Sequence, residues 1–132
     1  MTEMFSDDWA QQYVVAWNAN EDITSTLAKV GWSSVVGFGF QDDAAPAFVM
    51  TISNGKIIST SEVADTDIQW DLRATKENWK SMVAKPPGLM KLGIAYTSRQ
   101  LRFVKGDYAS MIKDPNLASA FVKSFALMAA IS

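Results

Sequence analysis

The chain has 132 residues, 48% of them apolar and 20% charged, which suits one globular domain and excludes a disordered tail or a collagen-like repeat. It contains no Cys and no His, so disulfides, thiolate nucleophiles, imidazole bases, Ser-His-Asp triads and ordinary zinc or haem sites are all closed to it. The formal net charge of −2 conceals two unlike halves: residues 1–72 hold eleven acids against Lys29 and Lys56, while eight of the twelve bases lie between Arg73 and Lys105 beside one acid, Glu77.

In chain order, Ser6 followed by Asp7 and Asp8 reads as a capped helix start, after which Trp9, Tyr13 and Trp17 recur on one stripe. A second short helix is expected over 22–30, with Ile23, Leu27 and Val30 on one side and Gly31 ending it. Residues 35–41 alternate glycine with Val36, Phe38 and Phe40, the pattern of a strand whose glycine face admits another element closely. Two strands over 47–52 and 56–61 flank Asn54-Gly55, a strong hairpin signal. Residues 67–74 alternate Ile68, Trp70, Leu72 and Ala74 with Asp67, Gln69, Asp71 and Arg73, so a half-buried strand with one wet face is expected.

Thr75 caps a helix over 76–84 that Pro86-Pro87 ends. A nearly uncharged helix over 88–96, a fifth strand over 99–105 and a helical turn over 107–112 follow. Asp114-Pro115 then opens a last helix, with Asp at the cap and Pro in the first turn. Its main stripe is Leu117, Phe121, Phe125 and Met128, and from Ser124 onward it carries no charge, which means burial on several sides, a partner, or a lipid-like ligand. One sheet with helices over one face, an α+β domain spanning 1–132, is the architecture this order favours.

The acidic N-terminus lacks the features of a secretory signal, the longest uncharged runs fall short of the ~20 residues a bilayer span needs, and the C-terminus is not a Ser-Lys-Leu address. A soluble, cytoplasmic protein is expected, and lack of Cys agrees with a reducing compartment.

The alternating strand 67–72, the helix 76–84, the Met-containing helix around Leu89 to Leu92, and Leu101-Arg102-Phe103-Val104-Lys105-Gly106-Asp107 together resemble the sterol carrier protein 2 family of sterol-binding domains. The likeness covers about 100 residues and rests on element order more than on invariant motifs. It implies a five-stranded, mostly antiparallel sheet with helices on one face, enclosing an apolar tunnel that takes fatty acids, fatty acyl-CoA, sterols or similar lipids without catalysis or cofactor. Thr97-Ser98-Arg99 and Pro86-Pro87 depart from the family pattern, and the peroxisomal address of its eukaryotic members is missing.

Independently, the methionines and aromatics of the second half suit an adaptable apolar wall. Trp79, Met82, Val83, Leu89, Met90, Phe103, Met111, Phe121, Phe125 and Met128 are the candidate ligand-contacting residues, with Lys80, Lys85, Lys91 or Arg102 available for an anionic head group. The same residues also serve as plain core and solvated surface. Two rival readings stand beside this one. The first is an isomerase or lyase acting on a hydrophobic carbonyl compound, with Tyr96 or Tyr108 as electrophile and an Asp as base. The second is an interaction subunit docking its last helix, a homodimer included. An anionic membrane surface is a further candidate partner; nucleic acid is disfavoured, because the bases are spread through an apolar segment without a recognised motif.

Overall fold

The computed structural model describes residues 4–61 and 63–131; Met1 to Glu3 of the acidic N-terminus, Glu62 and the terminal Ser132 lie outside the described residues. Helix α1 (Asp7–Ala19) opens as its sequence dictates: the Ser6 hydroxyl accepts from the Trp9 amide at 3.2 Å, and Asp7 and Asp8 occupy the positive end. Asn20 both ends α1 and caps α2 (Glu21–Lys29), accepting from the Ile23 amide at 3.1 Å, so the two helices meet without a loop.

Strands β1 (Ser34–Phe40), β2 (Phe48–Ser53), β3 (Lys56–Ser59), β4 (Trp70–Ala74) and β5 (Arg102–Lys105) form one sheet in the order β3-β2-β1-β4-β5. β1 and β4 run parallel, pairing Val36 with Trp70 and Phe38 with Leu72; the other neighbours are antiparallel. The β2–β3 turn has Asn54 at φ 48° and Gly55 at φ 86°, as a tight primed hairpin requires. Gly55 also lies so close to α2 that a side chain there would strike the Thr24 carbonyl at 2.6 Å. Asn18 of α1 pairs with both backbone polar groups of Ile57 in the edge strand β3, each at 2.9 Å.

Helices α3 (Lys76–Ala84), α4 (Leu89–Thr97), α5 (Tyr108–Lys113) and α6 (Pro115–Ile131) complete the chain. α6 touches each of the other five helices. The lack of charge from Ser124 onward thus answers to a central position, with Phe125 and Met128 fully buried. Val36, Phe38, Phe48, Met50, Ile52 and Leu72 pack the sheet's helix side, while Ile58 and Val104 on the far side are 66% and 59% exposed.

Three expectations are corrected. The strand expected from residue 67 begins at Trp70, because Asp65–Asp67 instead forms a single 3₁₀ turn, consistent with the turn preference of a run of short polar side chains. The polar face of β4 is also dry rather than wet. Asp71 and Arg73 are 2% and 5% exposed, and the Arg73 guanidinium donates to both Asp71 carboxylate oxygens at 2.6 and 3.0 Å and to the Phe40 and Asp43 carbonyls. The turn over 41–47 folds across this pair because Gly37 and Gly39 leave no side chain in its way; a Cβ on Gly37 would meet Pro46 at 2.9 Å. The fifth strand is shorter than expected, starting at Arg102, with Arg99 at φ 65° leaving α4 in the left-handed conformation.

Candidate functional site

An apolar cavity of ≈ 60 Å³ lies between the sheet's helix side and α6. The sheet supplies Val36, Phe38, Met50, Trp70, Leu72 and Phe103 to its wall, each the inward member of an alternating strand. Opposite them stand Trp17 of α1, Leu27 of α2, Met111 of α5 and a row on α6, Leu117, Ala120, Phe121 and Ser124, at helical spacing; Trp32, in the link from α2 to β1, completes the ring. Among the described residues, no titratable side chain lines it. Its one hydroxyl, on Ser124, is already committed to the Phe121 carbonyl at 2.6 Å.

The walls differ in how firmly they are held. Trp17 donates its indole N–H to the Gly55 carbonyl at 2.8 Å and is 3% exposed. Trp32, Trp70, Phe103, Leu117 and Phe121 are only half-buried. Trp70 is fixed from behind by shape: Gly106, at φ 100°, packs so near that a Cβ would reach Trp70 Cε3 at 2.2 Å. Phe103 is the hinge of the arrangement. Its ring meets Trp70 at 6.1 Å and Phe121 at 5.9 Å on the cavity side, and Tyr96 and Tyr108 at 5.5 and 5.4 Å on the other.

Beyond Phe103, an open cleft of ≈ 500 Å³ follows the outer edge of β5, lined by Tyr96, Thr97, Arg99, Leu101, Arg102, Phe103 and Val104. Among the described residues, no carboxylate lines it. Tyr96 and Tyr108 stack at 4.1 Å, and partial burial, with Tyr96 alongside, raises the Tyr108 phenol above its ordinary pKa. That shift makes Tyr108 a poorer acid, and among the described residues neither hollow brings an Asp or Glu to work with either tyrosine.

Of the ten residues singled out from sequence, Phe103, Met111 and Phe121 meet at the cavity. Trp79, Met82, Val83, Phe125 and Met128 belong to the packed core at its other end, where Trp79 donates to the Gly39 carbonyl at 2.8 Å and contacts Phe5, Phe38 and Phe125. Leu89 and Met90 face outward, 46% and 82% exposed. Lys80, Lys85 and Lys91 are exposed, and Arg102 borders the cleft. The cavity takes nothing from α3 or α4, and most of its wall comes from residues outside that set. For four of these, Val36, Phe38, Trp70 and Leu72, the signal was the strand alternation itself.

No protein-family model and no curated protein sequence matches the chain. Among solved structures, the crystal structure of sterol carrier protein 2 superposes with a TM-score of 0.76 at 16% identity, covering 98% of this chain and 100% of that one. The solution structure of a conserved hypothetical protein from Thermus thermophilus, described as a candidate sterol carrier protein, gives 0.69 at 17% identity over 100% of this chain and 92% of its own. The α+β sheet order, the helices gathered on one side and the full-length superposition establish that this chain has the fold of sterol carrier protein 2.

Proposed function

We propose that the protein is a non-catalytic carrier of a hydrophobic guest, a fatty acid, fatty acyl-CoA, sterol or similar lipid, held between the sheet and α6. The observation that carries this reading is a wall that, among the described residues, has no titratable group around an unfilled space in the core. Such a lining offers no means of moving a proton, whereas each methylene it shields from water is worth ~0.8 kcal/mol.

The empty space of ≈ 60 Å³ is smaller than the ~150 Å³ that accepts benzene in an engineered cavity, so a chain-length guest enters only if the wall opens. The half-buried members, Phe103, Phe121, Leu117 and Trp32, are the ones able to turn outward without uncovering a buried hydrogen bond. Phe103, Met111 and Phe121 are then the primary contacts. The carboxylate or phosphate of an amphipathic guest lies toward Arg99 and Arg102 in the cleft.

Displacement of a fluorescent fatty acid, with native mass spectrometry of gently purified protein, tests the reading. Wild type binds the probe, and Ala120→Leu, which pushes an isopropyl group into the cavity, weakens binding at least about tenfold while costing no more than ~1–3 kcal/mol of stability, so that melting curves show the variant still folded. A protein that purifies empty and leaves the probe free overturns the proposal.

A further inference from the structure

The stretch from Arg73 to Lys105 has eight bases and one acid, yet among the described residues only two of the bases pair with acids of residues 1–72: Lys105 with Asp65 at 3.1 Å, and Arg73 with Asp71, its near neighbour on the same strand. Among the described residues, Lys76, Lys80, Lys85, Lys91, Arg99 and Arg102 form no ion pair, and all six are exposed. In their midst α4 turns Leu89, Met90 and Ile94 to solvent, 46%, 82% and 58% exposed, on a helix whose other side buries Leu92 and Ala95. Exposed apolar residues occurring singly are ordinary, but three on nine residues of helix are a patch.

We infer that α4 is a docking surface for an anionic lipid bilayer, Leu89, Met90 and Ile94 entering the interface while Lys85 and Lys91 lie among the head-group phosphates. Long flexible apolar side chains beside lysines are what such an interface selects. A second copy of this chain fits less well. Pairing α4 with its own image sets Lys91 and Lys85 against like charges, and the acidic half offers no matching apolar patch: its exposed large apolar residues, Val15, Val30 and Ile58, stand on three different segments. The placement also serves transfer, since α4 ends near Tyr96, whose ring touches Phe103 in the cavity wall. The docking itself does not depend on the carrier reading.

The test is flotation of the full chain with phosphatidylcholine vesicles, with and without phosphatidylglycerol. Binding is expected to the anionic vesicles and to fall steeply between about 0.1 and 1 M salt, as the screening length shrinks from ~10 to ~3 Å. Met90→Asp with Ile94→Asp lowers the partition coefficient at least about tenfold, Lys91→Glu about fivefold or more, and Val15→Asp leaves it unchanged. Melting curves identify any variant that fails to fold, and Lys91→Glu supports the comparison if the apolar pair does not fold. Equal binding to neutral vesicles, wild-type behaviour of the α4 variants, or a sedimenting dimer split by Ile94→Asp without vesicle binding overturns the inference. Probe displacement without vesicles remains intact in that event, which separates this failure from failure of the carrier reading.

Discussion

Tyr13 shows how one side chain ties the fold to solution conditions. Its ring is fully buried between Trp9 and Trp17, and its hydroxyl donates to the Ser124 carbonyl at 3.2 Å. Burial pushes this phenol well above its ordinary pKa of 10.0, so the folded chain keeps a proton that the unfolded chain releases. Stability from this source is therefore complete below pH about 10 and declines above it by up to ~1.4 kcal/mol per pH unit. Denaturant titrations at stepped alkaline pH should show that decline in wild type and a shallower one in Tyr13→Phe, which at neutral pH costs only about 1 kcal/mol for the lost hydrogen bond. The buried Asp71–Arg73 pair has a sharper signature. Asp71→Asn leaves the guanidinium, 5% exposed, without its counter-charge and should cost ~3–5 kcal/mol, whereas Asp71→Leu combined with Arg73→Met should cost far less. Urea midpoints of the three proteins decide between an ion pair that stabilises and one whose harm lies in being broken.

At the scale of elements, the sequence was most readable where capping and periodicity agree. Ser6, Thr75 and Asp114, the caps read from the sequence, all accept from backbone amides of the turn they precede, and Asn54-Gly55 forms the hairpin. The polar alternation of β4 misled because a charged residue facing water and one facing a counter-charge under a loop have the same spelling; the cover, residues 41–47, comes from another part of the chain. The cavity wall was legible only in part for a related reason. Periodicity tells which side of a strand or helix turns inward, but whether the space inside is filled depends on how distant elements stack, as with the aromatic cluster of Phe5, Phe38, Trp79 and Phe125 that closes one end. Gly106 illustrates what such long-range contact demands. An alanine there strains a backbone at φ 100° and drives a methyl into the Trp70 ring, so Gly106→Ala should destabilise by ~1–3 kcal/mol and disturb probe binding through Trp70, measurable by thermal melts and probe displacement.

For the whole molecule, the opposed charge of the two halves invites the idea that they hold each other together. The structure gives that idea little to act through. Asp71 and Arg73 pair two residues apart on β4, so among the described residues the single bridge between segments distant in the chain is Lys105 to Asp65, and Asp65 is 79% exposed at its side chain. Exposed pairs of this kind contribute ~0.2–1 kcal/mol and are screened by salt. What joins distant parts of the chain instead is the hydrogen-bonded parallel ladder of β1 with β4 and the apolar packing of α6 against α1 and α2. Apolar burial is not weakened by salt. Raising sodium chloride from about 0.1 to 1 M should therefore leave the melting temperature within roughly 4 °C of its low-salt value, the most that losing one such bridge can move a domain of this size. A fall of ten degrees or more would mean that the basic segment is held by the acidic half in solution, and its lysines would then not be free to meet an anionic surface.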